Sequence, residues 1–173
     1  MSDEKRPRVA ILMGSDSDLP VMAEAAKVLD RIGVAFELHV TSAHRTPART
    51  VEIIGDAERR GVQVFIAGAG SAAHLAGVVA AHTTLPVLGV PLAASDLQGL
   101  DALLSTVQMP AGIAVGTLAI GKAGAANAAW LASSILALSD ADLAARLEQE
   151  REAMAGKVAA KSAAAREKLA SLI

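Results

Sequence analysis

Five short apolar runs, each followed by a helical pattern or a turn marked by glycine or proline, constrain this chain more than any other feature. Val9–Met13 (VAILM) is continuous and apolar, the pattern of a strand covered on both faces. It stops at Gly14, and a helical pattern follows over 19–32, closed by Gly33. Residues 35–40 read as a second strand, 47–60 as a helix ending at Gly61, and 62–67 (VQVFIA) as a third strand. Next come a glycine-rich turn, a helix over 72–82 and a fourth strand over 86–90. A short helix over 100–107, a fifth strand over 113–118 and a small-residue helix over 124–138 complete the alternation.

Strands and helices alternating at this spacing predict an α/β fold, a parallel sheet covered on both faces. Right-handed crossovers leave few topologies, and the doubly wound strand order 2-1-3-4-5 is expected. From Asp140 onward the chain is charged and alanine-rich, with Leu143, Leu147, Met154, Val158, Ala165 and Leu169 at helical spacings. Residues 1–138 are thus expected to form the α/β domain. Residues 139–173 are expected to be a helical extension of it, in one or two amphipathic helices packed on the body or on a neighbouring subunit. Arg151 and Lys161 interrupt the seam that a free coiled coil needs.

Composition removes several function classes. Lys and Arg number 16 against 18 Asp and Glu, a net charge of −2, so the basic footprint of a nucleic-acid binder is missing. With no cysteine, a disulfide framework, a thiolate metal site and a cysteine nucleophile are impossible, which fits a cytoplasmic protein. The opening MSDEKRPRVA lacks the apolar stretch of a secretory signal, and the apolar segment 123–138 is too short to span a bilayer. No membrane partner is expected. Apolar residues are 53% of the chain and aromatics only 2%, so small side chains must pack closely. The apolar excess points to a homo-oligomer, because large exposed apolar patches usually mark interfaces.

In an open parallel sheet, ligands bind beyond the carboxyl ends of the strands where the strand order reverses. Three turns are expected to converge there: Gly14-Ser15-Asp16-Ser17-Asp18, Thr41-Ser42-Ala43-His44-Arg45-Thr46-Pro47, and Gly68-Ala69-Gly70-Ser71-Ala72-Ala73-His74. They hold the richest clusters of small polar and ionisable residues in the chain, whereas the Gly89-Val90-Pro91-Leu92 turn is apolar. The first offers hydroxyls and backbone N–H groups to an anion such as phosphate, or else Asp18 or Ser17 simply caps the helix that follows. In the second, Arg45 can hold a phosphate and His44 can move a proton, or both are ordinary surface residues. Thr46-Pro47 reads as a cap and first helical residue. In the third, glycines 68 and 70 resemble a dinucleotide fingerprint only loosely, and no Walker ending follows. His74 serves the site or makes a local hydrogen bond; His39 and His82 read as structural or surface residues. No spacing of histidines or carboxylates suits a metal, Ala67-Gly68 stands where a receiver domain needs aspartate, and Ser71 lacks the G-x-S-x-G elbow.

GSDSD after strand one, SAHRTP after strand two, GAGSAAHL after strand three and QMPAGIAVGTLAIGKAGAANAA near the end together resemble the N5-carboxyaminoimidazole ribonucleotide mutase family of purine biosynthesis, the class I phosphoribosylaminoimidazole carboxylases. The likeness runs from about Val9 to Leu138. Ser71 stands where the family pattern has glycine and Ala76 where it has proline. The resemblance implies a flavodoxin-like three-layer fold, a homo-octamer, and a reaction without metal or organic cofactor. The family moves a carboxylate from the exocyclic nitrogen of an aminoimidazole ribonucleotide to ring carbon C4. By position, Ser15, Asp18 and Arg45 would bind the ribonucleotide, with Ser42 at the phosphate and His44 as the acid–base residue. The backbone of Gly70, Ser71 and Ala72 would face the carboxylate and imidazole, with His74 nearby. Two other readings stay open: direct carboxylation of aminoimidazole ribonucleotide with CO2, and a non-catalytic nucleotide-binding module.

Overall fold

The computed structural model describes residues 6–173. They form two compact units, the first running to Ile135 and the second comprising Leu136–Ile173. The first is an α/β fold built on a parallel sheet: β1 (Val9–Met13), β2 (Phe36–Val40), β3 (Val64–Gly70), β4 (Val87–Leu92) and β5 (Gly116–Thr117), in the order β2-β1-β3-β4-β5. Between them lie α1 (Leu19–Arg31), α2 (Pro47–Arg60), α3 (Leu75–Ala81) and α4 (Leu100–Val107), and α5 (Lys122–Ala137) follows. The doubly wound order expected from the sequence is the order observed.

Alternation along the strands sorts the helices into layers. Ala10, Leu12, Phe65 and Ala67 share one face with Ile53, Ile54 and Ala57 of α2 and with Leu75, Ala76 and Val79 of α3. Gly89 lies between Ala76 and Thr106, which brings α4 to the same face. A side chain on Gly68 would overlap Met22, so α1 covers the opposite face. Arg31 of α1 stands 5.1 Å over the Trp130 ring, a cation–π contact that joins α5 to that layer. Phe65 is fully buried at the centre of a core otherwise made of aliphatic and small side chains.

Helix bounds follow local chemistry. Pro47 opens α2, where its missing N–H costs nothing, and Gly61 at φ +100° closes it in the left-handed conformation that a side chain disfavours. The third strand differs from its expected 62–67. It begins at Val64 and runs on through Gly68, Ala69 and Gly70, paired with Val90, Pro91 and Leu92. The glycines that read as a turn are strand residues, bare because Met22 and Ala94 pack against their Cα atoms. The fifth strand shrinks from an expected 113–118 to a pair of residues, Gly116 and Thr117, opposite Leu88 and Gly89.

In the second unit, α6 (Ala141–Ala170) is one helix of 30 residues, capped where the Asp140 carboxylate accepts the Leu143 N–H at 2.9 Å. Leu143 is its one buried residue, and every residue from Arg151 to Ile173 is exposed. No helix among the described residues is long and apolar enough to cross a membrane.

Candidate active site

β2, β1 and β3 are adjacent and parallel, so the turns leaving Val40, Met13 and Gly70 emerge at one edge of the sheet. Together they line a cleft of about 410 Å³, within the ~300–1,000 Å³ typical of small-molecule sites. All nine residues singled out in the sequence line it: Ser15 and Asp18 from the first turn; Ser42, His44 and Arg45 from the second; Gly70, Ser71, Ala72 and His74 from the third.

The first turn is a single 3-10 turn, Asp16–Asp18, held by a reciprocal pair of bonds. Ser15 Oγ accepts the Ser17 N–H at 3.3 Å, and the Asp18 carboxylate accepts the Ser15 N–H at 3.0 Å. The cap is therefore Ser15, not Asp18 or Ser17, because the 3-10 turn is interposed before α1, which has no side-chain cap. Ser15 Oγ also accepts the Ser17 hydroxyl at 2.8 Å and donates to Asp16 Oδ1 at 3.1 Å. Burial pushes the Asp18 carboxyl above its ordinary value, against the pull of the Ser15 and Gly14 N–H groups, and the Asp16 charge adds to the rise.

Threonines knit the second turn. Buried Thr50 donates to the Thr46 carbonyl at 3.1 Å and stands 2.8 Å from the Thr41 hydroxyl. Thr46 Oγ1 accepts the Ser42 N–H at 3.0 Å, which spends the hydroxyl expected to cap α2 on closing the turn. The Arg45 N–H donates to Ser42 Oγ at 3.2 Å. This leaves the His44 ring and the Arg45 guanidinium projecting from a braced bend, and Arg45 is exposed with no side-chain partner among the described residues. Thr50→Val is expected to leave the Thr41 hydroxyl with only its longer contact, 3.3 Å to Thr46 Oγ1. We expect it to cost about 1–2 kcal/mol and lower the melting temperature by roughly 2–8 °C, measured by thermal unfolding.

Across the cleft, His44 Nε2 and His74 Nδ1 lie 2.8 Å apart with their rings edge-to-face, centroids 4.9 Å apart. One nitrogen must donate and the other accept, so the bond exists only while at least one of the two is bare of its proton. The other predicted histidines are elsewhere: His39 contacts Glu37 at 3.1 Å, and His82 Nδ1 bonds the Val78 carbonyl at 2.8 Å. Sequence reasoning missed Ala94, which lines the cleft beside Gly70. The signal lay in the strand: β4 extends to Leu92, so its true turn starts after the apolar stretch that resembles one in the sequence. Among the described residues, no cluster of His, Asp and Glu could hold a metal ion.

A model of the AIR carboxylase family matches residues 8–157, which takes in every turn of this cleft. The chain belongs to the AIR carboxylase family. Among its relatives, the N5-carboxyaminoimidazole ribonucleotide mutase of Brucella melitensis is 56% identical over 151 residues, covering 87% of this chain and 93% of the relative. The protein of that name from Thermotoga maritima is 51% identical over 156 residues, 90% of each chain. The crystal structure of Treponema denticola PurE superposes with a TM-score of 0.83 at 28% identity, covering 91% of this chain and 98% of that one.

Proposed function

We propose that this protein is an N5-carboxyaminoimidazole ribonucleotide mutase, with His44 as its acid–base residue and the ribonucleotide held by Ser15, Asp18, Ser42 and Arg45. The observation that carries this reading is the meeting of His44 with His74 at 2.8 Å, inside a cleft whose other walls are the serine-rich and glycine-rich turns. The names borne by relatives at 51–58% identity point to the same reaction.

The chemistry asks for one group that gives and then takes a proton. The substrate is a carbamate. Protonation of its exocyclic nitrogen by His44 breaks the N–C bond and releases CO2, leaving an enamine-like ring. Carbon C4 attacks the CO2, forming the new C–C bond, and His44 recovers a proton from C4 as the ring regains aromaticity. His74 suits a supporting role: it can accept from Nε2 of His44 when that ring carries its extra proton. Escape of CO2 would abort the transfer, and Gly70, Ala72, Ala43 and Ala94 offer small walls that exclude water without crowding a linear molecule. Holding both partners supplies a high effective concentration.

Arg45 is the fitting phosphate ligand, a planar fork at the rim with no side-chain partner among the described residues. Arg45→Ala is expected to raise the Michaelis constant roughly 10–100-fold with a smaller change in turnover, as for a lost bond to a charged group. Steady-state kinetics checks it, and an unchanged constant would place the phosphate elsewhere.

A cytoplasmic homo-oligomer, an octamer, completes the proposal. Leu100, Leu104 and Val107 form one exposed stripe along α4, 53%, 50% and 48% accessible, and Leu97 beside them is 62% accessible. That stripe suits burial against another copy. The test of the reading is turnover of N5-carboxyaminoimidazole ribonucleotide in the presence of chelator, followed by product absorbance. Product formed only from aminoimidazole ribonucleotide plus bicarbonate would make the protein a direct carboxylase. Binding without turnover of either would make it a nucleotide-binding module.

A further inference from the structure

Ser71 is one of two non-glycine residues with positive φ among the described residues, at +54°. A side chain pays for this conformation, which glycine adopts freely, and such outliers gather where function needs them. Ser71 follows directly on Gly70, where β3 ends, and lines the cleft. Its hydroxyl makes no hydrogen bond with any described residue and is exposed, whereas Ser15 Oγ already donates to Asp16 Oδ1 within its own turn. The chain thus places an uncommitted hydroxyl in the cleft at a position that packing alone would leave to glycine.

We infer that the Ser71 hydroxyl is a direct ligand of the migrating carboxylate. The inference rests on the proposed reaction and names the part of the substrate that Ser71 reads. The chemistry fits on three counts. A carboxylate accepts strongly, and a serine hydroxyl with no internal partner is free to donate. Ser71 lines the same cleft as His74, the partner of His44. Neighbouring Gly70 and Ala72 offer no side-chain donor of their own, so this turn's one hydroxyl is that of Ser71.

The test compares two nucleotides that differ by the carboxylate alone: the product 4-carboxy-5-aminoimidazole ribonucleotide and the uncarboxylated aminoimidazole ribonucleotide. Both are titrated by calorimetry into the full chain and into Ser71→Ala, which removes the hydroxyl and keeps the Cβ and its backbone conformation. Ser71→Ala is expected to weaken the carboxylated nucleotide roughly 10-fold or more, as for a lost bond to a charged group, and to leave the other unchanged. Ser71→Gly, which also frees the backbone, is expected to show the same selective loss. Equal affinities in the variants and the parent, or an equal loss for both nucleotides, would overturn the inference. A parent chain that binds neither nucleotide would instead overturn the proposed reaction itself.

Discussion

Replacing His44 by asparagine is expected to lower turnover of N5-carboxyaminoimidazole ribonucleotide by roughly 10²–10⁴-fold, the range for a positioned acid–base group, while substrate affinity stays within a few-fold. The reason is the division of labour in the cleft. In the proposed reading, affinity comes from Arg45 and from the first turn, which the substitution leaves intact. Asparagine keeps a polar group toward His74 Nδ1 yet cannot exchange a proton near neutrality. Both halves of the reaction need that exchange, so the loss falls on turnover. Steady-state kinetics of the variant separates the two constants. Near-normal turnover would remove His44 from the chemistry.

Gly70→Ala tests the scaffold in place of the chemistry. A Cβ at this position would overlap the Ala94 Cβ and stand 3.2 Å from the Leu92 carbonyl oxygen, so both neighbours are rigid. Backbone on one side and a short side chain on the other leave no flexible end to swing away. Overpacking of this kind costs about 1–3 kcal/mol, and we expect a melting temperature lower by roughly 2–12 °C. Because Gly70 ends β3 immediately before the His74 turn, activity is expected to fall at least tenfold, a shift of the magnitude that small misplacements produce. Thermal unfolding and kinetics on one preparation check both. A variant with native stability would show that the end of β3 has more room than the contacts indicate.

The strand order and most helix ends were legible because they rest on local features. VAILM is a buried strand by composition alone, and α2 spans 47–60 as read, because Pro47 and Gly61 mark both ends. In β3 a neighbour remote in sequence decided the matter, and in the first turn a competing local bond did. Gly68 and Gly70 look like turn residues, but Met22 and Ala94 require them bare inside a strand. Asp18 looks like a helix cap, but its carboxylate closes the Ser15 turn instead. At the site, topology predicted which turns meet. It could not predict that His44 and His74 would bond, which depends on the β2-β1-β3 register, nor that Ser71 would take a left-handed conformation.

The account stands on CO2 never leaving the cleft between its release and its recapture. Turnover of unlabelled N5-carboxyaminoimidazole ribonucleotide in buffer saturated with 13C-bicarbonate measures that directly, by mass spectrometry of the product. The account predicts product carrying the original, unlabelled carboxylate. Product carrying the label of the buffer would contradict it.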